Sequence, residues 1–183
     1  MSAAPDDRAT ATAPTGDFAA FFRAHHGFVW RSARRLGAPS HAVDDVVQDV
    51  FLAVGRERDR FEGRSSIKTW LFGITANVVK MHHRGEARRR HRQEVAGGLA
   101  IAAPPRDEAE HHAAVDLLDR LIGKLDPDKR AVFVLIELED VEPKEVARAF
   151  GLSVNTVHSR LRLARERLAI EVRRMKARQE GER

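Results

Sequence analysis

The sequence predicts an all-α fold: two small helical domains joined by a flexible linker, the C-terminal one a helix-turn-helix. Three observations carry this. Apolar residues recur every three or four positions in several windows, and no stretch shows the two-residue alternation of a strand. Between two helical regions, EVAGGLAIAAPPRDEAE (Glu94 to Glu110) breaks every period with paired Gly, paired Pro and repeated Ala. From Pro143 to Leu168 the order is short helix, glycine turn, long helix. The expected layout is a disordered tail over 1–16, a first domain over 17–92, a linker over 93–112 and a second domain over 113–179.

In the first domain, Asp17 is placed to cap a helix through FAAFFRAHHGFVWRSARRL, which Gly37 ends. Ser40 is expected to cap the second helix, whose apolar stripe is Val43, Val46, Val47, Val50, Phe51 and Val54. FEGRSS (Phe61 to Ser66) reads as a loop. Ser66 then caps a third helix with the stripe Ile67, Trp70, Leu71, Ile74, Val78 and Met81. In the second domain a helix is expected from Ala113 to near Leu125. Asp126 caps the next, with Pro127 at its first position, and that helix runs to near Glu139. Pro143 opens a short helix that Gly151 closes, and Ser153 caps the last helix, to near Gln179.

The 183 residues include no Cys and no Tyr, which rules out a disulfide framework and a thiolate metal site. No apolar run approaches the ~20 residues of a membrane span, and MSAAPDDRATATAPTG lacks the basic start and apolar block of a secretory signal. A cytoplasmic protein is expected. The net charge is +5, and its placement says more than its sum. Arg84 to Arg92 holds five Arg against Glu86 alone, and Arg160 to Arg178 holds eight Lys or Arg against Glu166 and Glu171. Two separate basic patches favour a nucleic acid contacted twice over two solubilising helix ends.

From Pro143 to Leu168, Val146, Ala147 and Phe150 give the short helix an apolar face, and Val154, Val157, Leu161 and Leu168 give one to the long helix. Gly151 supplies the left-handed backbone of the turn, and Leu152 plugs the gap. In a helix-turn-helix the second helix enters the DNA major groove. The stripe then leaves Asn155, Thr156, His158, Ser159, Arg162 and Arg165 on the outer faces. Ser153, Asn155 and Thr156 sit at the helix start, where backbone amides favour a phosphate. His158, Ser159 and Arg162 follow within reach of base edges. Arg160, Arg165 and Arg167 are expected to hold phosphates, which position without reading sequence. The alternative is a helical hairpin with a charged surface.

PKEVARAFGLSVNTVHSRLRLARERL resembles the C-terminal helix-turn-helix of extracytoplasmic-function sigma factors. VDDVVQDVFLAV, followed by FEGRSSIKTWLFGITANVVKMHHR, resembles their N-terminal helical domain. The likeness covers Phe18 to Arg92 and Ala113 to Met175, with an unlike linker between. It implies a dissociable specificity subunit of bacterial RNA polymerase. Its N-terminal domain would recognise and help open the minus-ten element, and its C-terminal domain would read the minus-thirty-five element as duplex. The partners it implies are core RNA polymerase, promoter DNA and, as an inhibitor, an anti-sigma factor able to clamp the two domains together.

Asp44, Asp45, Gln48 and Asp49 form a polar ridge opposite the valines, and Asp45 and Asp49 are like charges one turn apart. A cationic partner would relieve that repulsion. An acidic first turn favoured by the helix dipole is the plainer account, and it covers Asp44 better than Asp49. The resemblance implies that Asp45, Gln48 and Asp49 bind the polymerase clamp. It also places the minus-ten loop at FEGRSSIKTW, matching at Phe61, Gly63, Ser65, Thr69 and Trp70, with Arg64 inside it. Asn77 and Arg84 fall at DNA-facing positions of the family. Lys80 shares their face, and Arg88 continues it. Glu62 and Arg64 reverse the commoner order of charges, Met81 replaces an acidic residue, Leu163 stands where a basic one is common, and Glu142 replaces a hydroxyl cap. Trp70 is either core or a base-stacking wedge. AVFVLIEL, Ala131 to Leu138, is either a core helix or a groove for a partner.

No cofactor, metal or catalytic residue is expected. The pairs His25–His26, His82–His83 and His111–His112 diverge by about 100° on a helix. Asp44, Asp45 and Asp49 are a conceivable magnesium set, but no Gly-rich phosphate loop, nucleophile–base pair or HExxH accompanies them. The main alternative function is a stand-alone helix-turn-helix regulator of operator DNA, which would need a dimer surface or sensor domain. An RNA-binding protein is disfavoured by the scarcity of stacking aromatics.

Overall fold

A computed structural model describes residues 17–58, 61–95 and 113–181, and every regular element among them is helical. The expected tail and most of the expected linker lie outside the described residues.

Helix α1 spans Phe18–Arg35, and the Asp17 carboxylate accepts from the Ala19 amide at 2.9 Å. Helix α2 spans Val43–Glu57, and its six predicted stripe residues are all buried. Ser40 does not cap it. The chain enters α2 through a single tight turn, Ser40–Ala42, closed by the Ala42 amide on the Pro39 carbonyl, so no side-chain cap is used. Helix α3 spans Ile67–Val95, and the Ser66 hydroxyl accepts from the Thr69 amide as expected. Its buried face differs from the predicted stripe. Phe72, Thr75 and Val79 are inside, Val78 is half-buried, and Met81 is 67% exposed. Packing against both α1 and α2 widens the covered arc. Thr75 is accommodated by donating to the Leu71 carbonyl at 2.7 Å.

Helix α4 spans Ala113–Ile122 and stops earlier than expected, in a turn at Gly123 whose far end, Leu125, is buried. Helix α5 spans Pro127–Phe133 and widens into π-helical turns over Val134–Leu138. Asp126 occupies the cap position, but its carboxylate takes Lys129 Nζ at 2.6 Å instead of a backbone amide. That hydrogen bond holds Asp126 below the usual carboxylate range. In AVFVLIEL, Ala131, Val132, Val134 and Leu135 are buried, and Phe133, Ile136 and Leu138 pack against them, so this segment is core.

Helices α6 (Pro143–Phe150) and α7 (Val154–Gly181) form the helix-turn-helix. Gly151 has φ 64° and ψ 33°; its amide reaches the Arg148 carbonyl and that of Leu152 the Ala147 carbonyl. This is the Schellman closure, with Leu152 folded onto the core. Ser153 Oγ accepts from the Thr156 amide at 3.0 Å. Val157, Leu161 and Ala164 point inward. Ala164 is a core contact that the larger residues of the predicted stripe hide.

The two units are not independent. One apolar core runs through both. Arg130 donates to the Leu36 carbonyl at 2.7 Å and also to the carbonyls of Gly123 and Leu125. Gly37 (φ 94°) makes room for it, since a Cβ there would lie 2.3 Å from the Arg130 guanidinium. Arg34 pairs with Asp116 at 2.5 Å and Asp119 at 3.3 Å, and Arg35 pairs with Glu139. Burial raises the Asp119 pKa despite the nearby arginines. The expected freedom of the two domains therefore does not describe this state. Complementary charges, which no periodicity reports, bring them together.

Candidate nucleic-acid interface

The turn at Gly151 and the cap at Ser153 fix the rotation of α7. With Val157, Leu161 and Ala164 inward, Asn155, His158, Ser159, Arg162 and Arg165 are exposed on its outer side. Thr156 is half-buried. Its hydroxyl lies 2.8 Å from Ser153 Oγ, which makes it part of the cap. The arginines are more balanced than their neighbours in sequence suggest. Arg160 Nη2 meets Asp128 of α5 at 2.8 Å, Arg162 meets Glu166 at 2.6 Å, Arg165 Nε meets Glu137 at 3.0 Å, and Arg167 meets Glu171 at 3.0 Å. The Arg160 side chain is only 27% exposed. The other pairs are solvated ion pairs worth about 0–1 kcal/mol, which a phosphate can displace.

On α3, Asn77, Lys80, Arg84 and Arg88 are all exposed, and steps of three and four place them on one edge. Among the described side chains Lys80, Arg84 and Arg88 have no carboxylate partner. The edge begins beside the 61–66 loop. There Gly63 turns with φ 66°, Glu62 and Arg64 pair at 3.1 Å, and Ser65 is half-buried. The Phe61 and Trp70 rings lie 5.2 Å apart, so Trp70 is anchored against the loop while lining its cavity. That cavity, about 520 Å³, is bounded by Ser65, Trp70 and Asn77 on one side and Arg148 and Phe150 of α6 on the other.

Asp44, Asp45, Gln48 and Asp49 are exposed along α2 as expected. Asp49 already has a hydrogen-bonding neighbour, His82 Nε2 of α3 at 2.8 Å. The ridge borders an apolar groove lined by Phe18, Phe22, Val47, Phe51 and Leu52. Leu52 is 51% exposed. Sequence reasoning missed this groove, although Leu52 falling outside the valine stripe was its visible sign. His25 and His26 pack with tilted rings against Phe21 and Phe22, and His111 and His112 lie outside the described residues. No three His, Asp or Glu side chains converge as a metal site among the described residues, and no described helix is long and apolar enough to cross a membrane.

Residues 21–89 match Sigma-70 region 2 and residues 116–168 match Sigma-70, region 4. The chain is 34% identical over 174 residues to RNA polymerase sigma factor CnrH of Cupriavidus metallidurans, covering 87% of this chain and 90% of that protein. It is 31% identical over 138 residues to the ECF RNA polymerase sigma-E factor of Escherichia coli, covering 70% and 72%. Among solved structures it resembles the sigma factor RpoE in complex with the anti-sigma factor NepR from Bartonella quintana. The TM-score is 0.64 at 25% identity, over 86% of this chain and 97% of that one.

Proposed function

The chain belongs to the extracytoplasmic-function sigma factors, alternative sigma factors that direct RNA polymerase to promoters, and on that premise we propose how its own residues divide the work. Asp45, Gln48 and Asp49, with the apolar groove beside them, dock on core polymerase. The loop from Gly63 to Ser65 and the edge of Asn77, Lys80, Arg84 and Arg88 engage the separated strands of the minus-ten element and aid opening. Asn155, His158, Ser159 and Arg162 face the bases of the minus-thirty-five duplex, with Arg165 on a phosphate. Thr156 and Arg160 hold the frame of α7, one through the cap and the other through Asp128. The protein is a non-enzymatic factor of the cytoplasm, and an anti-sigma protein is a further partner, supported by the NepR complex of its structural relative.

The observation that carries this reading is the segregation of three exposed faces on one chain: a carboxylate ridge on α2, a cationic edge on α3 and a polar helix start on α7. A stand-alone regulator has no use for the first. Run-off transcription with core polymerase on a genomic library, with start-site mapping, tests the function directly. A mobility shift adds the contrast: duplex promoter should be retarded only when core polymerase is present. Retardation by the chain alone at equal affinity would favour the regulator. Asp49→Arg should abolish co-elution with core polymerase while far-ultraviolet circular dichroism stays unchanged. Intact holoenzyme from that variant would remove α2 from the contact.

A further inference from the structure

The carboxylate ridge of α2 has a polar tie to the helix behind it. His82 Nε2 of α3 lies 2.8 Å from Asp49 Oδ2. An ionised carboxylate only accepts, so the contact places a hydrogen on Nε2. The sequence accounts for a polar ring at this seam. His82 follows Val78 and Val79 by one turn. Val79 is buried and Val78 half-buried, so position 82 falls at the margin of the covered arc of α3. Steps of ~100° turn His82 well away from Asn77, Arg84 and Arg88, so it does not belong to the cationic edge. The His82 side chain is 22% exposed and that of Asp49 53%. The histidine is the enclosed partner and the carboxylate the presented one. Oδ2 is held from behind, and Oδ1 has no partner among the described side chains.

We infer that His82 is a positioning residue for polymerase docking: its hydrogen bond holds the Asp49 carboxylate in the orientation that the core enzyme meets. The inference rests on the assignment of Asp49 to the polymerase contact. Its physical content is preorganisation. Asp45 repels Asp49 from one turn away, and an exposed carboxylate beside a like charge samples several side-chain orientations. Fixing one of them at the moment of binding lowers affinity, and a tether that fixes it beforehand removes that loss. The same margin of α3 makes a second polar contact with the approach to α2, Glu86 Oε1 at 3.5 Å from His41 Nε2. That contact shares the seam but lies off the ridge, which makes it the control for a purely structural role.

The chain has no cysteine, so Lys124→Cys, exposed and outside α2 and α3, carries a single dye, and core polymerase is titrated against the labelled chain by fluorescence anisotropy. His82→Ala should weaken holoenzyme formation about two- to fivefold, the range for freeing one side chain. His82→Gln, whose amide nitrogen reaches as far as Nε2, should restore most of the affinity. His82→Asn, shorter by one methylene, should not. Equal behaviour of the Gln and Asn variants overturns the tie. His41→Ala, which breaks the other contact of the seam, should leave affinity near the native value; a loss equal to that of His82→Ala would make His82 a general support for α2 and overturn the inference. In an Asp49→Ala background, His82→Ala should weaken binding no further. A continued loss would make His82 a polymerase contact in its own right, which also overturns it. If Asp49→Ala binds too weakly to titrate, the contrast between Gln and Asn decides. Holoenzyme left intact by both Asp49→Ala and His82→Ala counts against the proposed docking of α2. Loss in Asp49→Ala alone leaves that docking standing and removes the role of His82.

Discussion

The two basic faces differ in what they hold before DNA arrives. Along α7, Arg160, Arg162, Arg165 and Arg167 each rest on a carboxylate from Asp128, Glu166, Glu137 or Glu171. Along α3, Lys80, Arg84 and Arg88 have no such partner among the described side chains. A guanidinium already paired is oriented, and it exchanges one anion for another when it meets a phosphate. An unpaired one brings its full charge and releases counterions from the nucleic acid. On the proposed assignment, the α3 edge would grip strands without regard to sequence, and the α7 face would place a few donors against bases.

The largest effect that separates the two faces should come from Arg84→Ala/Arg88→Ala. Each neutralised contact on a single strand is worth ~0.7 in the salt slope, so the pair should lower the slope of promoter-complex formation by about 1.4. The loss of affinity should be on the order of tenfold near physiological salt, read by titrating holoenzyme against promoter at several ionic strengths. An unchanged slope would place the α3 edge away from the nucleic acid. Next in size is Arg162→Ala. A guanine held through two hydrogen bonds is worth ~1–3 kcal/mol of discrimination, so one minus-thirty-five position should relax in a competition between promoter variants. Equal losses on all variants would make Arg162 a phosphate contact.

What was legible in the sequence was local. The valine stripe of α2, the Schellman turn at Gly151 and the caps at Asp17, Ser66 and Ser153 depend on residues within about one helical turn of each other, and spacing reports them. The ion pairs that set the state of α7 were hidden because Asp128 and Glu137 come from α5 and the π-helical turns after it, which α7 meets only through tertiary packing. Met81 was misassigned for a related reason. A helical period continues past the point where its packing partners end, so position in a stripe does not imply burial. The docking of Glu145 on Ser66 and Thr69 spans the two matched regions, and no pattern within either one announces it.

Glu137→Gln gives a smaller and opposite test. It frees Arg165 from an exposed pair worth ~0.2–1 kcal/mol. If the carboxylate competes with a phosphate for that guanidinium, holoenzyme should bind promoter about 1.4- to 5-fold more tightly. Arg165→Ala in the Glu137→Gln background should then cost more than in the native chain. Equal costs in both backgrounds would mean that the pair never opens on DNA, and that α7 uses Arg165 only to hold α5.

The smallest effect distinguishes a strut from a contact within one helix. Arg160 was expected among the phosphate ligands, yet its side chain is half-buried and reaches across to the exposed Asp128. The bridge ties α7 to the start of α5, and its loss should cost ~0.2–1 kcal/mol of folding stability, a lowering of the melting temperature by about 0.4–4 °C for a chain of this size. Arg160→Ala should leave the salt slope and base preference of holoenzyme unaltered, and Asp128→Asn should reproduce most of its thermal shift. If the slope instead falls by ~0.9, the value of one duplex phosphate, the guanidinium leaves Asp128 on binding. Arg160 would then join Arg165 as a residue whose ion pair is exchanged for DNA.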